Sequence, residues 1–186
     1  MRMTILMAGW LVAGCGGGGA MPDGGGAKRV FVTSTTYTGD LKTQGSAATG
    51  LEGGDRLCLT AATAAALGGT WTAWLSTSTT VASARIADVG PWFQLDGSKT
   101  FEAKAALDQA ALAFVDINEH GQADGNSGHW TGTLPSGSPA SDNCTDWSSA
   151  GSSVHGESGG VDSLDMWSGG YTNSCGTKNR LVCFEQ

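Results

Sequence analysis

The sequence predicts an α+β domain of short twisted antiparallel strands, one or two helices and a long irregular loop region, stapled by disulfides. Three observations predict it. One stretch, residues 55–67, has clear helical spacing, and short β-rich runs open and close the domain at 29–35 and 180–184. Between them, residues 119–170 are dominated by Gly, Ser, Asp and Asn, with Trp130, Trp147 and Trp167 interspersed.

Arg29-Val30-Phe31-Val32-Thr33-Ser34-Thr35 is rich in β-branched and aromatic residues and reads as the first strand. Asp55 is placed to cap the helix. Cys58, Ala61, Ala62 and Ala65 recur on one face, and Gly68-Gly69 ends it. That face is mostly alanine, so a sheet can approach closely, and Cys58 can tie the helix to a distant strand. Residues 70–77, with Trp71 and Trp74, are strand-like. Pro91-Trp92-Phe93-Gln94-Leu95 followed by Asp96-Gly97 reads as a strand entering a hairpin turn. Residues 100–113 have helical composition with less regular apolar spacing, and 180–184 form the last strand. The stretch 119–170 either lacks fixed structure or is held by a few large anchors. Three tryptophans and the neighbouring cysteines favour anchors.

The N-terminus carries an address. Met3 to Gly14 is nearly all apolar and follows Arg2, as in a secretory signal. About 12 residues are too few to span a hydrocarbon core of roughly 30 Å as a helix. Val12-Ala13-Gly14-Cys15 resembles a bacterial lipoprotein processing site, which implies cleavage after residue 14 and acylation of Cys15. Residues 15–27 then form the lipidated cysteine and a Gly-rich tether. Twelve such residues reach on the order of 20 Å. Residues 28–186 are the folded domain. Gly16 lacks the aspartate that retains some lipoproteins at the inner membrane, so the expectation is an exported, lipid-anchored envelope protein of the outer membrane.

Charge narrows the partners. The first 14 residues carry one charge, Arg2, which leaves 9 basic and 17 acidic side chains, net −8. With no basic run, nucleic acid is not an expected partner, and the lipid must supply the membrane attachment. Cys58, Cys144, Cys175 and Cys183 form an even set, which in an exported chain reads as a disulfide framework with three possible pairings. No C-x2-C or H-x3-H spacing points to zinc.

The order of these residues resembles the C-type lectin-like fold. A helix bears the first cysteine, a long loop region leads to the second, and the last lies eight residues after the third in Leu181-Val182-Cys183-Phe184-Glu185. The resemblance is closer still to bacterial surface lipoproteins whose domain is related to the collagen-derived endostatin branch of that fold. Arg29–Ser34, Leu67-Gly68-Gly69-Thr70-Trp71, Ala73-Trp74-Leu75-Ser76, Trp130-Thr131-Gly132-Thr133, and Cys144 with Trp147 carry it. It implies nested bridges, Cys58–Cys183 and Cys144–Cys175. It also implies a non-enzymatic domain recognising an extracellular protein or glycan. A structural envelope component and an exported hydrolase are the rival readings. The sequence departs from the sugar-binding lectins: Trp167-Ser168-Gly169 stands where their calcium motif has an amide and a carboxylate, and no Glu-Pro-Asn equivalent exists.

Trp130, Trp147 and Trp167 are the ligand-binding candidates, since indole faces suit pyranose rings; the same residues can equally be core anchors. No cofactor is expected. A calcium site, if present, would draw on Asp116, Glu119, Asp124 and Asn126, oxygen donors on a Gly-containing loop. The EF-hand pattern itself fails, with His120 at a ligand position and Ser127 where the closing Glu belongs. Glu157, Asp162 and Asp165 form a second acidic group. His120, His129 and His155 are the only histidines a hydrolase could use, and no G-x-S-x-G elbow accompanies them.

Overall fold

The computed structural model describes residues 27–125 and 128–186; the signal, Cys15 and nearly all of the tether lie outside them, as does Asn126. The chain forms β1 (Lys28–Val32), α1 (Leu41–Gln44), α2 (Gly50–Ala64), β2 (Trp71–Ala73), α3 (Ala82–Arg85), β3 (Trp92–Phe93) and β4 (Lys99–Phe101). Then follow β5 (His129–Trp130), β6 (His155–Gly159), β7 (Tyr171–Ser174) and β8 (Arg180–Glu185). These strands make one sheet in the order β4-β3-β1-β8-β5-β6-β7, with β2 also paired to β8. The domain is therefore mixed α+β, with one sheet, few helices and two disulfides.

The sheet is mixed rather than purely antiparallel. β1 pairs with β3, and β5 with β8, in parallel. Both pairs are joined by long connections, which parallel neighbours require. The last strand sits at the centre. Its alternate residues turn to opposite neighbours: the Leu181 carbonyl accepts from Thr33 N–H, and the Val182 carbonyl from Trp74 N–H.

Both faces of the sheet are covered, which explains the unbroken apolar runs in β1 and β8. Phe31, Leu181 and Cys183 point to the face held by α2, with Cys58, Trp71, Trp130 and Trp147. Val30, Val32, Val182 and Phe184 point to the other, with Trp74, Trp92, Phe101 and Trp167. Cys58–Cys183 ties α2 to β8, and Cys144–Cys175 closes the irregular region onto the end of β7. This is the nested pairing that the resemblance implies.

Three expectations are corrected. The helix begins at Gly50, not Asp55, and Thr49 caps it by accepting from Glu52 N–H at 3.2 Å. Asp55 instead accepts from Ala73 N–H at 2.9 Å and, through both carboxylate oxygens, from Arg85 Nη2 at 2.7 Å, fastening α2 to β2 and α3. Glycine is tolerated there because of packing: a Cβ on Gly53 would run into the Leu41 backbone of α1. Residues 100–113 are not a second helix. Their start belongs to β4 and only a 3-10 turn, Lys104–Ala106, follows. Residues 70–77 hold only the three-residue β2.

The irregular region is held by its anchors. Cys144–Trp147 is a single left-handed turn, with φ of 52° to 63° at all four residues. Such a turn is costly for L-residues and persists only where its surroundings over-determine it. Here the Cys144–Cys175 bridge, the Asn143 side chain accepting from Asp146 N–H at 3.0 Å, and the buried Trp147 do so.

Candidate functional site

The tryptophans named as ligand-binding candidates are core residues. Trp130 and Trp147 are wholly buried and Trp167 is 1% exposed. Each indole N–H is satisfied inside the protein: Trp130 donates to Tyr37 C=O, Trp147 to Ser76 C=O, and Trp167 to Gln109 C=O, at 2.8–2.9 Å. No indole face is left for a sugar. The physical reason is economy of structure: a domain short of helix and strand needs large side chains to fill its layers.

The described calcium candidates, Asp116, Glu119 and Asp124, do not form one site. Glu119 is buried and accepts from Ser34 N–H at 2.7 Å and Ser34 O–H at 2.5 Å. Asp124 faces Asn118 Nδ2 at 2.7 Å and Arg180 Nη1 at 3.1 Å. Burial, aided by the charge of Asp96, holds the Asp116 carboxyl above its ordinary value. Among the described residues no group of three or more His, Cys, Asp or Glu side chains is arranged to hold a metal ion. In the second acidic group, Glu157 is buried and accepts from Gly170 N–H at 2.6 Å, Asp165 binds Ser163 O–H at 2.8 Å, and Asp162 is exposed.

The three histidines lie on separate elements, and among the described residues no histidine ring shares a hydrogen bond with a hydroxyl. His120 is exposed, 3.7 Å from Glu119, and His155 is exposed at the start of β6. His129 is fully buried and donates from Nε2 to the Trp167 carbonyl, which fixes its neutral tautomer. Its Nδ1 has no partner among the described residues. Burial, opposed by the Trp167 bond and reinforced by the Arg180 charge, lowers its pKa from 6.5 to about 4.

This makes stability sensitive to acid. The unfolded ring takes up a proton near pH 6.5, while the folded ring stays neutral to about pH 4. Stability present above pH 6.5 is therefore lost as the pH falls through that window. Between pH 8 and pH 5 the expected loss is about 2 kcal/mol. Urea unfolding across that range checks it. In His129→Gln, whose amide can still donate to Trp167, the same range should be nearly flat.

An opening lies at the free edge of the sheet. A hollow of about 420 Å³ is lined by Gly128, Ser158, Gly160, Asp162, Tyr171 and Asn173, among others. Strands β6 and β7 pair here, placing Ser158 opposite Tyr171. Gly159 ends β6 because a Cβ there would strike the Trp167 carbonyl. The loop that carries Asp162 is closed by Gly160 N–H donating to Met166 C=O at 2.9 Å. Gly170, with φ of 109°, then returns the chain into β7. Trp167 thus serves the opening from behind, as the anchor of its loop.

The polar groups of this cleft divide into used and unused. Asn173 Nδ2 donates to Ser158 Oγ at 2.7 Å, and Ser158 Oγ donates to Tyr171 C=O at 3.2 Å. Both are held in place by each other, and the Ser158 hydroxyl is committed. Tyr171 is 43% exposed. The described residues offer no hydrogen-bond partner to its hydroxyl, to the Asn173 side-chain oxygen or to the Asp162 carboxylate. Among the described residues no Lys or Arg lines the cleft.

The ligand-binding residues expected from the sequence, Trp130, Trp147 and Trp167, do not include Tyr171. The only signal was local, a tyrosine directly after Gly169-Gly170. The chain matches no protein-family model and no curated protein. Its two disulfides point to an oxidising, extracellular setting, and no helix among the described residues is long and apolar enough to cross a membrane.

Proposed function

We propose that this chain is a lipid-anchored envelope protein whose C-type lectin-like, endostatin-related domain recognises an extracellular glycan without catalysis. One observation carries the reading: an exposed tyrosine, an amide and a carboxylate line one hollow whose other lining is largely glycine. An aromatic ring with a few fixed polar groups is the common make-up of a small-ligand site, and about 420 Å³ lies within the usual range of about 300–1,000 Å³. Support for the fold family comes from the helix-to-last-strand bridge, the second bridge nested within it, and the long irregular region.

The test is a panel of envelope and matrix glycans presented to the purified full chain. A glycan that binds the native protein should bind Tyr171→Ala at least tenfold more weakly, with an unchanged melting temperature. Equal binding by a folded Tyr171→Ala would move the site elsewhere, and failure of every glycan would favour the structural-component reading. The anchor has its own test. Cys15→Ser should shift the protein from the membrane fraction to the soluble one; continued sedimentation with membranes would mean that something other than lipid holds it.

A further inference from the structure

We infer that a hollow beside Glu119 receives a lysine side chain of an extracellular protein, as a second binding site apart from the Tyr171 cleft. The hollow, of about 410 Å³, is lined by Ala65, Leu67, Leu95, Glu119, His120 and Gly121. Three distant segments build it. Ala65 and Leu67 follow the last turn of α2, and Leu95 follows β3. Glu119 is fastened just beyond β1, where it accepts from Ser34 N–H at 2.7 Å and Ser34 O–H at 2.5 Å. An aliphatic wall and one carboxylate therefore share a single opening.

The charge of that carboxylate is uncompensated. Glu119 is only 5% exposed. The Lys and Arg ion pairs among the described residues join Arg29 to Glu185, Arg85 to Asp55, Lys99 to Glu102 and Arg180 to Asp124. Glu119 has the two Ser34 donors and, at 3.7 Å, the half-exposed His120. A buried charge without a counter-charge is costly. The helix adds to the negative field. α2 runs for 15 residues toward the hollow, and its last turn holds no basic side chain. The C-terminal end of a helix favours cations. Among the described residues no Lys or Arg lines the hollow, and the whole chain carries a net charge of −7.

A cation on an apolar stem satisfies both parts. The methylenes of a lysine lie along Leu67 and Leu95, and its ammonium donates to Glu119 in a charge-assisted hydrogen bond. Lysine suits the site better than arginine. Each Glu119 oxygen already accepts from Ser34, and a point charge can approach one oxygen alone, whereas a guanidinium fork is matched to two. A neutral glycan would set its hydroxyls against leucines.

NMR titration of the oxidised full chain, read at the Leu67, Leu95 and Gly121 amides, tests this with three probes. They are the capped pentapeptide Gly-Gly-Lys-Gly-Gly, its norleucine counterpart and butylamine. The lysine peptide should bind at least tenfold more tightly than the norleucine peptide and at least threefold more tightly than butylamine. Glu119→Gln should bring the two peptides within about threefold. Its amide can keep both Ser34 bonds, the oxygen accepting from N–H and the nitrogen donating to Oγ, so the melting temperature should hold. Ala65→Phe, which fills the hollow from the helix end, should weaken the lysine peptide at least fivefold. Equal binding of the two peptides, binding of neither, or a gap that survives Glu119→Gln would overturn the site. A lower melting temperature in Glu119→Gln with lysine binding intact would reduce Glu119 to a tie for Ser34. Butylamine binding as tightly as the lysine peptide would overturn the protein partner and leave a free-amine site. The Tyr171 cleft plays no part in this binding, and the glycan panel judges it separately.

Discussion

Replacing Cys58 and Cys183 together by alanine is expected to lower the unfolding free energy by about 5 kcal/mol. The bridge spans 125 residues of sequence, and both cysteines are wholly buried between α2 and β8. Chain-entropy arithmetic for a loop of that size gives about 4.9 kcal/mol, against about 3.7 kcal/mol for the 31-residue separation of Cys144 and Cys175. Small domains are stable by only about 5–15 kcal/mol, so the first loss approaches the whole margin. Denaturant unfolding of both paired variants measures the two losses and their order. A loss under about 2 kcal/mol for the Cys58 pair would show that the unfolded chain stays compact without the bridge. Loss of more stability from the Cys144 pair would overturn the entropic account. The strained left-handed turn at Cys144–Trp147 would then be the element that most needs its tether.

The strands at the two ends of the domain were legible because both faces of the sheet are buried. β1 and β8 are therefore continuous apolar runs with no competing pattern. The start of α2 is hidden in the sequence by propensity. Gly50, Gly53 and Gly54 disfavour a helix, yet Thr49-Gly50-Leu51-Glu52 has the spacing of a capping box, and that signal was the better one. Residues 100–113 show the opposite error. Alanines suggested a helix, but the segment spends its backbone groups on neighbours, Leu112 N–H donating to Thr100 C=O and Ala111 N–H to Leu164 C=O. Of the cleft, the sequence shows Asp162 only as one of an acidic group and Tyr171 only as a tyrosine after two glycines. Asp162, Tyr171 and Gly160 are ordinary residues, and only the pairing of β6 with β7 and the return of the 160–170 loop bring them together.

Trp147→Ala is expected to cost about 3–5 kcal/mol of stability, the usual loss for a buried tryptophan. This variant separates the two meanings that a tryptophan among glycines can have. A sugar-stacking residue would lose binding and keep its melting temperature. A core anchor loses stability first. The structure commits Trp147 to the second role: it is wholly buried, its ring centroid lies 5.9 Å from that of Trp130, and its indole N–H reaches Ser76 C=O at 2.8 Å. It also fixes the last residue of the left-handed turn. Truncation therefore leaves a cavity, an unpaired carbonyl and a strained backbone with one support fewer. Trp147→Phe keeps most of the buried area and loses only the N–H, so its cost should be about 1–3 kcal/mol. Thermal and urea unfolding of both variants, with the glycan panel run on the native-like fraction, decides the point. Intact stability with lost binding in Trp147→Ala would return the site to the tryptophans and displace the Tyr171 cleft.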